Sequence, residues 1–171
     1  NRKLKTCRFV MRRYIEKFLK KFGFSEVKPA SNPVYSEAQV VSSVVTAEEE
    51  GWPSDPLPLR EVVGCLQWIA QVARPDILIC VNTLAKVCGK PVTLQVKSAV
   101  KKIARYLKGT LDSGVIYSPD NEQNFRETYS ELRGNAEDIH DVNIFSDASF
   151  ASDFLTMRSI TGSIVYFKGS P

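Results

Sequence analysis

An aspartate near the end of the sequence has the setting of a metal ligand. The stretch VNIFSDASFASDF, residues 142–154, places Asp147 among small residues at the end of an apolar, strand-like run. Magnesium prefers hard oxygen ligands, so a carboxylate at a strand end suits a magnesium-dependent nuclease. An aspartate between serine and alanine is more often a turn or cap residue, and the residues alone leave that alternative open.

Basic residues form a second candidate site. Residues 1–28 carry ten Lys or Arg against two Glu, and residues 97–108 carry five with no acid. In LQVKSAVKKIARYLKG, four cations recur at helical spacing on one face: Lys97, Lys101, Arg105 and Lys108. Such a ridge is suited to gripping a nucleic-acid backbone, with a steep dependence on salt. A solvated face on an ordinary amphipathic helix is the alternative, for this segment and for the basic N-terminal helix alike.

Cysteine and histidine do not point to a metal centre. The four cysteines are far apart and form no CxxC pair, which argues against a zinc site and a secreted disulfide framework. Most of them are expected to be small core residues. His140, the one histidine, has no Cys or His neighbour and is expected to be a polar loop residue.

Composition predicts an intracellular protein. With 171 residues, 43% hydrophobic and 25% charged, the chain can bury one core, or one full unit and a partial one. It contains no apolar run of membrane-spanning length and no charged-then-apolar leader. We therefore expect the cytoplasm, a virus-like particle or the nucleus, and no membrane partner.

The elements that would position these residues follow from periodicity. Apolar residues at helical spacing predict helices over residues 12–22 (ended by Gly23), 59–73, 75–87 and 94–109. Residues 29–58 contain five prolines, which predicts an extended connection with at most a short helical turn.

The C-terminal part is predicted to contain the strands. SGVIYSP indicates a short strand ended by Pro119, residues 120–141 indicate a polar, acidic linker, and VNIFSDAS and RSITGSIVYFKG indicate two more strands. The predicted fold class is α+β. Two strands alone are too little sheet to be stable unaided.

Three longer strings, in order, carry a resemblance to a known family: LREVVGCLQWIAQVARPDILICVN, VKKIARYLKGTLDSGVIY and FSDASFASDFLTMRSITGSIVYFKG. They resemble the Pol polyprotein of copia-type LTR retrotransposons, from the end of the reverse transcriptase through the connection into ribonuclease H. The upstream string RRYIEKFLKKFGFSEVKPASNPV is similar to the same family. The resemblance covers most of the chain, and the main parts outside it are residues 36–55 and 120–140.

The resemblance implies an organisation and a role for the aspartate. Residues 1–118 would be the reverse transcriptase C-terminal and connection region, 119–141 an acidic linker, and 142–171 the first strands of a ribonuclease H-like domain. Asp147 matches the nuclease's first catalytic aspartate, which helps hold two magnesium ions at the RNA strand of an RNA/DNA hybrid. Asp153 matches an acidic position read as structural. The sequence departs from the family at two places. The family's usual Asp-Ala-Asp-Trp ends in Ser149 and Phe150 here, and the first arginine of the family's arginine pair is replaced by Met157.

The resemblance also implies what is missing. The polymerase's Tyr-x-Asp-Asp hairpin and the nuclease's further carboxylates do not occur in the sequence. We therefore predict a non-enzymatic part of a Pol polyprotein that holds RNA/DNA hybrid or duplex beside the rest of the polyprotein, with Mg²⁺ bound weakly or not at all. The alternatives are a non-catalytic helical module that binds nucleic acid or protein, and a relic without function.

Overall fold

The computed structural model describes residues 3–133, 141–150 and 159–171. Its elements confirm the predicted α+β class, and they follow one another as β1 (Cys7–Val10), α1 (Arg12–Lys21), α2 (Glu37–Glu50), α3 (Leu59–Val72), a 3₁₀ turn (Pro75–Ile77), α4 (Leu78–Lys86), α5 (Leu94–Gly109), β2 (Gly114–Tyr117), α6 (Pro119–Arg133), β3 (Val142–Ser149) and β4 (Ile160–Phe167). Strand β1 pairs with β2, and β3 pairs with β4.

The elements form two compact units. One unit is Val10–Gly114, with helices α1 to α5. The other takes the described residues of 3–9 and 115–171, and so contains α6 and the β3–β4 hairpin. The functional boundaries at residues 118 and 141 remain predictions.

The helical unit confirms the four helices predicted from periodicity. Helix α1 buries one stripe, Ile15, Phe18 and Leu19, and the chain leaves it through Gly23 at a φ of +75°. Helix α5 begins at a cap in which the Thr93 hydroxyl accepts a hydrogen bond from the Val96 backbone N–H at 3.2 Å. Its apolar face is fully buried, at Val96, Val100, Ile103 and Leu107.

Helix α2 corrects the prediction of an irregular connection. The five prolines flank residues 37–50 and none lies inside them. Ser36 caps the start by accepting a hydrogen bond from the Gln39 N–H, and Gly51 ends the helix in the left-handed region. Its buried face, Val40, Val41, Val44 and Ala47, packs on α5. Valine, serine and threonine have low helix propensity, so tertiary packing supplies the stability that this segment lacks alone.

Helix α6 corrects the prediction of an acidic linker over residues 119–133. Its first turn is capped by the Ser118 hydroxyl, which accepts a hydrogen bond from the Asn121 N–H at 3.1 Å. Phe125 is buried, and its ring lies 4.5 Å from that of Tyr129, one turn later. The low average hydropathy of this segment indicates a linker, because two aromatic residues contribute little to the average. They nevertheless anchor the helix against the hairpin. Residues 134–140, with His140, lie outside the described residues.

The hairpin is antiparallel, and α6 covers one of its faces. Phe145 and Tyr166 project to the same side, and their rings lie 6.2 Å and 5.1 Å from Phe125. The opposite face carries Ile144 and Val165, which are 64% and 51% exposed. The sequence therefore predicts the two strands of the hairpin, but not the helix that covers one of its faces.

No helix in the described part of the chain combines the length and the apolar character needed to cross a membrane.

Candidate nucleic-acid interface

Three of the four predicted cations on α5 already have partners within the protein. The Lys97 ammonium lies 2.8 Å from the Asp55 carboxylate, which holds the pKa of Asp55 below its usual value through that hydrogen bond. The Arg105 Nε donates to the Lys28 carbonyl at 2.7 Å, and Lys108 donates to the Ser25 carbonyl. These side chains fasten the loop before α3 and the segment after α1 to α5.

The same contacts form a cationic groove. It has a volume of about 470 Å³ and is lined by Gly23, Glu26, Val27, Lys28, Lys101 and Arg105. Lys101 has no hydrogen-bond or ion-pair partner among the residues that the structure describes. Arg105 contacts Lys28 through Nε, so its terminal guanidinium nitrogens keep their donors for a ligand. The cations gathered here are Lys28, Lys101 and Arg105, and anionic oxygens suit them best.

The predicted metal ligand stands on the hairpin. Asp147 lies in β3 opposite Gly162, is exposed, and accepts a hydrogen bond from the Ala148 N–H at 2.8 Å through Oδ1. Within residues 3–133, 141–150 and 159–171, no three His, Cys, Asp or Glu side chains lie close enough to hold a metal ion. One carboxylate does not fit a two-magnesium site. The catalytic role of Asp147 stays a prediction, and Asp153 lies outside the described residues.

Two of the quoted strings meet in a polar network around one buried arginine, and sequence reasoning missed this network. Arg74, 1% exposed, donates to the Asp76 carboxylate through Nε at 2.9 Å and through a terminal nitrogen at 2.7 Å. It also donates to the carbonyl and hydroxyl oxygens of Thr110, at 2.9 Å and 2.8 Å. The Tyr106 hydroxyl donates to Asp76 at 2.7 Å. The network joins the ARPDI string to the RYLKGT string.

Electrostatics favours the charged state of this network. Burial raises the pKa of the Asp76 carboxyl, but hydrogen bonds from Arg74 and Tyr106 outweigh it, so the pKa lies below its usual value. The Arg74 guanidinium stacks 5.1 Å from the centre of the Tyr106 ring. We assign these motif residues to holding the α3–α4 turn against the end of α5. The sequence signal that could have identified these residues is the occurrence of ARPDI and RYLKGT in two of the strings that resemble the Pol family.

The protein thus consists of a helical unit with a cationic groove and of a smaller unit in which a helix covers a hairpin. No protein-family model matches the chain, and no solved structure matches it. Curated proteins do. An uncharacterized mitochondrial protein of Arabidopsis thaliana is 31% identical over 88% of this chain and 52% of its own length.

Two Pol polyproteins match still more of the chain. The retrovirus-related Pol polyprotein from transposon RE1 of Arabidopsis thaliana is 31% identical over 94% of this chain and 9% of its own length. The one from transposon TNT 1-94 of Nicotiana tabacum is 27% identical over 92% and 10%. The protein is thus distantly homologous to copia-type retrotransposon Pol polyproteins over most of its length. It spans about half of the mitochondrial relative and about a tenth of the polyproteins.

Proposed function

We propose that this chain is the part of a copia-type Pol polyprotein that runs from the reverse transcriptase C-terminus through the connection into ribonuclease H. In this role it holds an RNA/DNA hybrid or duplex by the phosphate backbone and performs no chemistry of its own. The groove formed by Lys28, Lys101 and Arg105 is the observation that carries the proposal. Two of its cations, Lys101 and Arg105, lie on the packed helix α5, and phosphate contacts of this kind do not depend on base sequence.

Internal partners do not remove the other α5 cations from this role. An ammonium group has three donors, and Lys97 and Lys108 are each described with one acceptor. A phosphate can therefore bind beside the existing partner. All four predicted residues, Lys97, Lys101, Arg105 and Lys108, stay in the proposed contact set.

The test is the salt dependence of binding to a labelled RNA/DNA hybrid. Replacing Lys97, Lys101, Arg105 and Lys108 with Gln should flatten the plot of log affinity against log salt by roughly three to four units. The matched control replaces four cations elsewhere that have protein partners, Arg60, Lys86, Lys90 and Arg126, and so removes the same charge. Equal slopes for both variants would refute the α5 contact set.

The mitochondrial relative raises a second function, because 88% of this chain matches a protein that is not named as a polyprotein. In this reading the chain is a retained helical module without a catalytic role, binding nucleic acid or protein, or a relic. Absence of any hybrid or duplex binding by the wild-type chain at low salt would favour a protein-binding module or a relic over the first proposal.

A further inference from the structure

Helix α1 carries cations of two kinds. Arg12 pairs with Glu16 and Asp112, and Lys21 pairs with Glu61. Arg13, Lys17 and Lys20 are exposed and have no hydrogen-bond or ion-pair partner in the part of the chain that the structure describes. The nearby acids are thus engaged by the flanking cations, and three cations are left unneutralised.

The three unpaired cations form one row. Residues 13, 17 and 20 are spaced by four and three, which places them on one face of α1 with about 5–6 Å between neighbouring Cβ atoms. We call Arg13, Lys17 and Lys20 the α1 stripe. Its spacing is comparable to that of successive phosphates along one nucleic-acid strand. Arg13 lies in the first turn, where the helix dipole also favours anions.

The stripe is held in place by the packing beneath it. Ile15, Phe18 and Leu19, which are 0%, 3% and 4% exposed, fix the opposite face of α1 in the helical unit. Phe18 also lies against Phe22 and Phe24 at ring distances of 5.2 Å and 6.4 Å. Cations on an anchored helix lose less freedom on binding than cations on a mobile tail, so the row is preorganised for a linear polyanion.

We propose that the α1 stripe is a second phosphate-binding surface, which contacts the backbone of the nucleic acid held by the chain. The inference rests on the proposed function and adds a surface outside the predicted α5 residues. Recognition is by charge and spacing, so it is independent of base sequence. The ligand is a nucleic-acid strand; an anionic membrane surface is the competing ligand that the experiment excludes.

The experiment compares two variants of the full chain that lose the same charge. One replaces the stripe, Arg13→Gln, Lys17→Gln and Lys20→Gln. The other replaces three cations of the same unit that have protein partners, Arg12→Gln, Lys21→Gln and Arg60→Gln. Binding to a labelled RNA/DNA hybrid is measured across a salt series, with circular dichroism to confirm that each variant is folded.

The stripe variant should lose roughly two to three units of salt slope, against less than one for the control. When salt rises fourfold, the wild-type affinity should therefore drop by a factor about 40 times larger than the factor by which the affinity of the stripe variant drops. A charge-preserving variant, Arg13→Lys with Lys17→Arg and Lys20→Arg, should retain the wild-type slope.

Three outcomes would overturn the inference. An unchanged slope in the stripe variant refutes the stripe while the proposed function stands. Wild-type chain that binds no nucleic acid refutes the proposed function and the stripe together. Binding of the wild type to phosphatidylserine vesicles, lost in the stripe variant while its hybrid binding is unchanged, assigns the stripe to a membrane surface.

Discussion

At the scale of single residues, the largest fully buried side chain among the described residues is a charged one, Arg74. A buried guanidinium is tolerated because Asp76 and Thr110 accept its hydrogen bonds and Tyr106 stacks on it. Asp147 differs, because it is exposed and belongs to no group of three His, Cys, Asp or Glu side chains in the described residues that could hold a metal ion. One residue is therefore placed for stability, and the other keeps its predicted chemical role only by resemblance.

Replacing Asp76 tests the first of these roles. Asp76→Ala should lower the free energy of unfolding by about 2 kcal/mol, because it removes the carboxylate partner of the buried Arg74 guanidinium, although solvent screens this pair in part since Asp76 is 40% exposed. Asp112→Ala is the matched control, since it breaks an Arg–Asp pair that is exposed, and it should change stability little. Urea unfolding followed by circular dichroism measures both. Similar losses in the two variants would contradict the network's role.

The pH dependence of stability should report the same carboxyl. Its pKa is lowered in the folded protein, so its contribution is fully present above the unfolded value of about 4 and disappears as pH falls through the folded pKa. The difference in unfolding free energy between wild type and Asp76→Asn should therefore be constant near neutrality and shrink below about pH 4. Urea titrations at several pH values measure it, and a difference that grows towards acid would reverse the sign.

Asp147 gives a prediction about chemistry. Purified residues 1–171 should not cleave the RNA strand of a labelled hybrid in magnesium, because one carboxylate cannot hold two metal ions. Asp147→Asn should behave like the wild type in this assay. Magnesium-dependent cleavage that the substitution abolishes would contradict the prediction and establish Asp147 as catalytic.

At the scale of elements, helices α2 and α6 form for the same physical reason. Both lie in segments whose composition indicates a connection, and both form because a few apolar residues find a surface. For α2 that surface is α5, and for α6 it is the aromatic face of the hairpin. The hairpin itself is marginal without such cover.

Removing the aromatic anchor of α6 should expose this dependence. Phe125→Ala should cost about 3 kcal/mol and speed amide hydrogen exchange across β3 and β4, leaving the amides of α5 protected. Ile144→Ala, on the uncovered face and 64% exposed, should cost less than about 1 kcal/mol. Hairpin exchange as slow in Phe125→Ala as in the wild type would show that α6 does not stabilise the sheet.

At the scale of the whole molecule, charge follows the two units. Residues 10–114 contain 15 Lys and Arg against 10 Asp and Glu, whereas residues 1–9 and 115–171 together contain 8 against 9. The cationic groove and the α1 stripe both belong to the first unit. The surface proposed for nucleic acid is therefore carried by the unit with the excess of positive charge.

A shortened chain tests whether that unit suffices. Residues 10–114 have a continuous buried core, so they should unfold in one cooperative urea transition. They should also bind the hybrid with a salt slope within about one unit of the full chain. The control is a variant of the same segment in which Gln replaces Lys97, Lys101, Arg105 and Lys108. Cooperative folding without binding would place the contacts outside this unit.

Elements with a strong local pattern could be predicted from the sequence. Apolar spacing predicted α1, α3, α4 and α5, and alternation predicted β3 and β4, because each pattern repeats with its element's own period. Positive charge also predicted the α5 ridge. Which of these cations have partners within the protein could not be predicted, since the partners of Lys97 and Arg105 come from residues distant in the chain.

Tertiary structure likewise decided α2 and α6, whose few apolar residues have no strong period and become stable only against another element. The tertiary structure also brings the two strings around Arg74 and Thr110 into one hydrogen-bond network. These residues lie 36 positions apart, and only folding brings their hydrogen-bonding groups together. Periodicity reports how a segment meets its surroundings, whereas long-range pairing depends on where the whole chain places those surroundings.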